Sequence, residues 1–123
     1  LVIHELAHKL DMLNGAANGM PPLHSSMHLG DWTEAMQQAY DHLNHYLDHH
    51  DPAHAPIDPY AAENPAEFFA VTSEYFFSAP DLLTHAYPKV YQQLSLFYRQ
   101  DPLTRLQTLQ SGHPEYRGSV NRT

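Results

Sequence analysis

A chain of 123 residues is one domain's worth of polypeptide, and its 42% apolar and 11% aromatic content is too rich for a disordered segment. Six Lys+Arg against 14 Asp+Glu leave a net charge of −8, which argues against nucleic acid as a partner, because that affinity rests on clustered basic side chains. There is no run of about 18 apolar residues to span a membrane, no charged-then-apolar leader, and no cysteine, so disulfide scaffolds, thiolate metal sites and Cys nucleophiles are excluded. Leu1, Val2, Ile3, Leu6, Ala7, Leu10 and Leu13 fall at helical spacing with no cap residue before them. A first helix is therefore expected over 1–13, with its true start upstream and the chain a fragment of a longer protein. Asn14-Gly15 supplies its stop signal.

Residues 14–30 hold three of the five glycines and a Pro-Pro pair, and are expected to form a long loop of the kind that often carries function. A second helix is expected from Asp31 to about His50, opened by an Asp31/Glu34 capping box, with Met36, Ala39, Tyr40, Leu43, Tyr46 and Leu47 as its apolar stripe. Residues 51–62 carry three prolines and read as extended loop. Asn64-Pro65-Ala66-Glu67 is a helix start, with Asn as N-cap and Pro at the first position, and this third helix should end before Pro80. A short turn over 81–85, a helix from Pro88 and a last one over 102–110 follow, and the Tyr and Phe positions from 68 to 98 read as core. No strand pattern or repeat is visible, so the fold is expected to be mainly α. Residues 111–123 read as a polar, untied tail.

The chemistry-bearing motif is His4-Glu5-Leu6-Ala7-His8. Residues i and i+4 share a helix face, so both imidazoles can reach one metal ion, while Glu5 lies about 100° around the axis and can act on a metal-bound water as general base. A chance match with two solvated histidines is the bland alternative. Against it stand the apolar spacers Leu6 and Ala7 and the apolar flanks, which suggest a helix buried behind a site. Asp11 is placed to hydrogen-bond a ligand imidazole or to close the polar face. A third ligand is needed. The metzincin pattern would require Gly at position 11 and His at position 14, where this chain has Asp11 and Asn14, so a carboxylate from a later helix is expected. Glu63, Glu67 and Glu74 are the candidates. A plain capping-box role would explain Glu67 equally well, and Glu74 is either a partner behind a ligand or an exposed residue.

The stretch VIHELAHKLDMLNG, followed about fifty residues later by DPYAAENPAEFFAVTSEYFF, resembles the Mlc titration factor A family of zinc metallopeptidases, itself similar to the catalytic domain of anthrax lethal factor. The resemblance covers most of the chain. It implies a zincin-like helical segment forming the C-terminal part of a larger α+β metallopeptidase, here residues 1–110. It further implies zinc held by His4, His8 and Glu67, Glu5 as general base, and Tyr60, seven residues before Glu67, as support for the oxyanion. Aminopeptidase-type activity on peptides, binding of the glucose repressor Mlc and a cytoplasmic location are implied too. Absence of cysteine fits a reducing compartment. A competing reading is a regulatory protein-binding module with a vestigial or structural zinc site; retention of Glu5 favours the enzyme, since a structural site needs no base. His42, His45 and His49 share one helical face and could bind a metal, but with Asp41, Asp48 and Asp51 among them and no apolar support the histidines at 42, 45, 49, 50 and 54 read as a solvated face, and His24 and His28 remain unassigned.

Overall fold

A computed structural model describes residues 2–111. Six helices make up the architecture of the described residues: α1 (Val2–Asp11), α2 (Leu29–His49), α3 (Pro65–Ser78), α4 (Pro80–Ala86), α5 (Pro88–Tyr98) and α6 (Pro102–Ser111). Among the described residues there is no strand, so the fold is mainly α as expected. Apart from Ser111, the expected polar tail lies outside the described residues.

Local signals explain most boundaries. The Asn64 side chain accepts from the Glu67 N–H at 2.9 Å, and Pro65 follows it, so α3 starts where its sequence signal places it. α4, α5 and α6 also begin at prolines. The first helix gives way to a tight turn over Met12–Asn14 and stops at Gly15, whose φ of +113° favours glycine. The second helix departs from expectation. It begins at Leu29, and no side chain caps it, so the Asp31/Glu34 capping box does not form. Asp31 sits inside the first turn, where a carboxylate still favours the helix dipole. The earlier start delivers Trp32 into the core, fully buried, with its indole N–H donating to the Gly19 carbonyl at 3.3 Å. The proline-bearing loop also contains two short helical turns, over Pro52–His54 and Pro59–Ala62.

α3 is the central element, with α1, α4 and α5 packed against it, while α5 also packs against α2 and α4. An aromatic triangle of Trp32, Phe69 and Phe97, with ring centres 5.7–5.9 Å apart, ties α2, α3 and α5 together. Leu43, Phe76, Leu83, Val90 and Leu94 are fully buried beside it. The core reading of the 68–98 aromatics therefore holds, with Tyr75, Phe77 and Tyr98 packed at its edge. Two buried polar side chains are satisfied inside it: Thr72 donates to the Phe68 carbonyl at 2.8 Å, and Ser73 shares a hydrogen bond with the Tyr98 hydroxyl.

The first helix corrects a second expectation. Only Ala7 and Asp11 of α1 are buried; Val2 is 81%, Leu6 53% and Leu13 70% exposed. Its apolar spacing builds a real amphipathic helix, but among the described residues α3 covers one side of it and leaves the Val2–Leu6–Leu13 side bare.

Candidate metal centre

α1 and α3 carry the site between them. Small Ala7, buried on the α3 side of α1, lets the two helices approach closely enough for their polar side chains to meet. His4 Nε2 lies 2.9 Å from Glu67 Oε1, His8 Nε2 lies 3.2 Å from the same oxygen, and the two Nε2 atoms are 3.2 Å apart. Donors held about 2.0–2.1 Å from a tetrahedral ion are roughly 3.3 Å from one another. The triangle is therefore of a size that fits a metal ion, and it is the only such group of three among the described residues. Its donor set, two imidazoles and one carboxylate, suits a borderline ion better than Mg2+ or Ca2+.

The three candidate glutamates are separated by this geometry. Asn64 caps the Glu67 backbone N–H, but the Glu67 carboxylate turns to the histidines instead of closing a capping box. Glu74, two turns on, places Oε1 2.8 Å from His4 Nδ1, the ring nitrogen away from the triangle. A carboxylate there holds the proton on Nδ1 and leaves Nε2 as the free lone pair. Glu63 is exposed at the end of the Pro59–Ala62 turn.

Electrostatics follow the same contacts. Burial lowers the His4 pKa, but hydrogen bonds and charge from Glu74 and Glu67 outweigh it, and the net shift is upward. The reciprocal effect appears at Glu74, where burial raises the pKa and the His4 contact helps bring it below the ordinary value. Both shifts say that Glu74 is held ionised beside His4 and makes the ring more basic.

Glu5 is exposed on the same helix and outside the triangle. Tyr60 stands beside the site: its ring centre is 6.3 Å from that of His4, and it is 50% exposed. Asp58 fixes the turn that carries it by accepting from the Tyr60 N–H at 2.9 Å, and the Asp58 N–H in turn donates to the Tyr75 hydroxyl. The negative charge of Glu67 raises the Tyr60 pKa, with smaller contributions from desolvation, hydrogen bonding and Glu63, so the phenol keeps its proton and remains a donor.

Asp11 does something other than bond an imidazole. Fully buried, it accepts from the Gly19 N–H at 2.7 Å and the Met20 N–H at 3.0 Å, pinning the loop after α1. Gly19, at φ +81°, then lies so close to α3 that a Cβ there would sit 2.7 Å from the Pro65 carbonyl oxygen, two residues before Glu67. Asp11 therefore braces the turn that presents Glu67. Its partners are eight and nine residues ahead, and an Asn-Gly pair in the loop is the sole hint of them in sequence. His24 hydrogen-bonds the Phe97 carbonyl at 2.7 Å and serves the core, while His28 is exposed at the start of α2.

Comparison with known proteins decides the lineage. Residues 1–99 match the profile of the family described as glucose-regulated metallo-peptidase M90. The chain belongs to the M90 metallopeptidase family. It is 52% identical over 107 residues to the Mlc titration factor A of Yersinia pestis (strain Pestoides F) and, to the same extent, to that of Yersinia pseudotuberculosis serotype O:1b (strain IP 31758). These matches cover 86% of this chain and 39% of each relative, so the chain spans well under half the length of the relatives it matches. Membership of a metallopeptidase family implies a metal, and His4, His8 and Glu67 are the group that could hold it. No helix among the described residues is long and apolar enough to cross a membrane.

Proposed function

We propose that the chain is the zincin-like, metal-binding part of a larger zinc-dependent peptidase, with His4, His8 and Glu67 as ligands. The observation that carries this reading is the triangle of donors, 2.9–3.2 Å on each edge, drawn from two helices whose sequence distance is about sixty residues. Zinc in a three-ligand site supplies a Lewis acid that polarises a carbonyl and lowers the pKa of a bound water to about 7. Each remaining role belongs to this chain's own side chains. Glu5, outside the ligand set, takes a proton from the attacking water and passes it to the leaving amine nitrogen. Tyr60, kept protonated, donates its hydroxyl hydrogen to the oxygen that becomes negative as the carbonyl is attacked. Glu74 orients His4. Aminopeptidase-type activity in the cytoplasm follows from the family resemblance.

A second role is favoured by one observation, the name Mlc titration factor A carried by the relatives. On that reading the longer protein also binds the repressor Mlc. A purely structural zinc would call for four protein ligands, and the described residues offer three. The test is hydrolysis of a peptide series by full-length wild type and Glu5→Gln, with metal content measured on both. Loss of hydrolysis with metal retained is expected. Unchanged turnover would remove the general-base role and favour the binding module.

A further inference from the structure

The other histidine-rich element is α2, and the structure divides its histidines. His42 is engaged with the core, its Nδ1 sharing a 3.0 Å hydrogen bond with the Tyr87 hydroxyl. His50 stacks on Tyr46 and donates from Nδ1 to the Tyr46 carbonyl at 3.1 Å. His45 and His49 form a pair of their own. Both are exposed, they are one helical turn apart, and their ring centres are 4.3 Å from each other at an interplanar angle of 35°. The His4–His8 pair of the metal centre has the same spacing in sequence and ring centres 4.8 Å apart.

One hydrogen bond prepares the second pair further. His49 Nδ1 lies 2.9 Å from the His45 carbonyl oxygen. A carbonyl can only accept, so Nδ1 carries the hydrogen and Nε2 carries the lone pair. A backbone carbonyl behind the ring, fixing tautomer and orientation, is the usual support of a ligating imidazole. Both residues lie on α2, His45 one turn before its end and His49 as its last helical residue, so the helix sets the spacing of the two rings before any ion arrives. The net charge of −8 lowers the cost of bringing a cation to this surface.

We propose that His45 and His49 form a second metal site, for a late first-row divalent ion such as Ni2+, Cu2+ or Zn2+, with water completing the coordination. Two imidazoles without a carboxylate select these ions over Mg2+ and Ca2+. The site shares no residue with the His4–His8–Glu67 centre and does not depend on the peptidase reading. Neither histidine belongs to the core, so both can be replaced without disturbing the fold.

The experiment is a calorimetric titration of the tag-free, chelator-stripped full chain with Ni2+ alone, repeated with Mg2+. His45→Ala/His49→Ala should bind one equivalent of Ni2+ fewer than wild type, with an unchanged circular dichroism spectrum. His4→Ala/His8→Ala should keep that equivalent, and Mg2+ should bind at neither pair. Equal Ni2+ stoichiometry in wild type and His45→Ala/His49→Ala would overturn the proposal, as would complete loss of binding in His4→Ala/His8→Ala. If His4→Ala/His8→Ala instead binds as much as wild type, the metal-centre reading fails while this site stands.

Discussion

Replacing Glu74 with Gln isolates the support behind His4. The carboxylate lies 2.8 Å from His4 Nδ1, and its charge raises the basicity of the ring that is to bind metal through Nε2. An amide oxygen can still accept the hydrogen bond, so the variant removes charge and preserves shape. Loss of such a partner weakens metal affinity by about 10–100-fold, which corresponds to about 1.4–2.8 kcal/mol at 1.4 kcal/mol per decade. The Glu74 side chain is 32% exposed, so solvent screening places the expectation at the lower end, about tenfold. Competition with a chromophoric chelator reads this directly for wild type, Glu74→Gln and Glu74→Ala. The alanine variant, which loses both charge and acceptor, should be the weaker of the two. Equal zinc affinity in all three proteins would refute the view that Glu74 orients a ligand. A loss in Glu74→Ala fully absent from Glu74→Gln would show that the acceptor matters and the charge does not.

Other perturbations have equally definite outcomes. Gly19→Ala forces a side chain into a φ of +81° and against the Pro65 carbonyl, so it should lower Tm by about 4 °C or more and weaken metal binding, since the strained turn presents Glu67; an unchanged melt would show that the loop yields freely. Tyr60→Phe should cut turnover by about 10²–10³ with metal content intact, and near-normal kcat would remove Tyr60 as the donor. Burial pushes the Tyr87 pKa up to about 12 from 10.0, so the fold favours the neutral phenol. That contribution is complete below pH 10 and is lost as pH rises from 10 towards 12; thermal melts should fall over this window, and Tyr87→Phe should flatten the fall.

What could be read from sequence was whatever depends on neighbours within a turn or two. Asn64-Pro65 placed the start of α3 because N-cap and first-position chemistry are local, and the Asn64–Glu67 bond is the realised form of that signal. The His4–His8 spacing needed nothing beyond helix geometry to put both imidazoles on one face. The choice among Glu63, Glu67 and Glu74 was different. It depends on how α3 is rotated against α1, a packing property that spacing within either helix does not contain, and the resemblance supplied it. The partners of Asp11 are hidden for the same reason: the N–H groups that its buried carboxylate accepts from lie in a loop with no periodicity. The start of α2 at Leu29 is not legible in the Asp31/Glu34 pattern, because burial of Trp32 outweighs a capping preference of about 1 kcal/mol. The apolar spacing of α1 suggests burial that Val2 and Leu6 do not have, because pattern alone does not say which residues of a stripe find a partner.

The most direct test of the central claim is a crystal structure of the full-length protein grown with zinc, with anomalous data collected on both sides of the zinc absorption edge. One strong peak is expected between α1 and α3, about 2.0–2.2 Å from His4 Nε2, His8 Nε2 and a Glu67 carboxylate oxygen. Glu74 should remain on the far side of His4, and Glu63 should stay clear of the ion. A peak ligated by Glu63 or Glu74 with Glu67 turned away, or no peak at this position under saturating zinc, would contradict it.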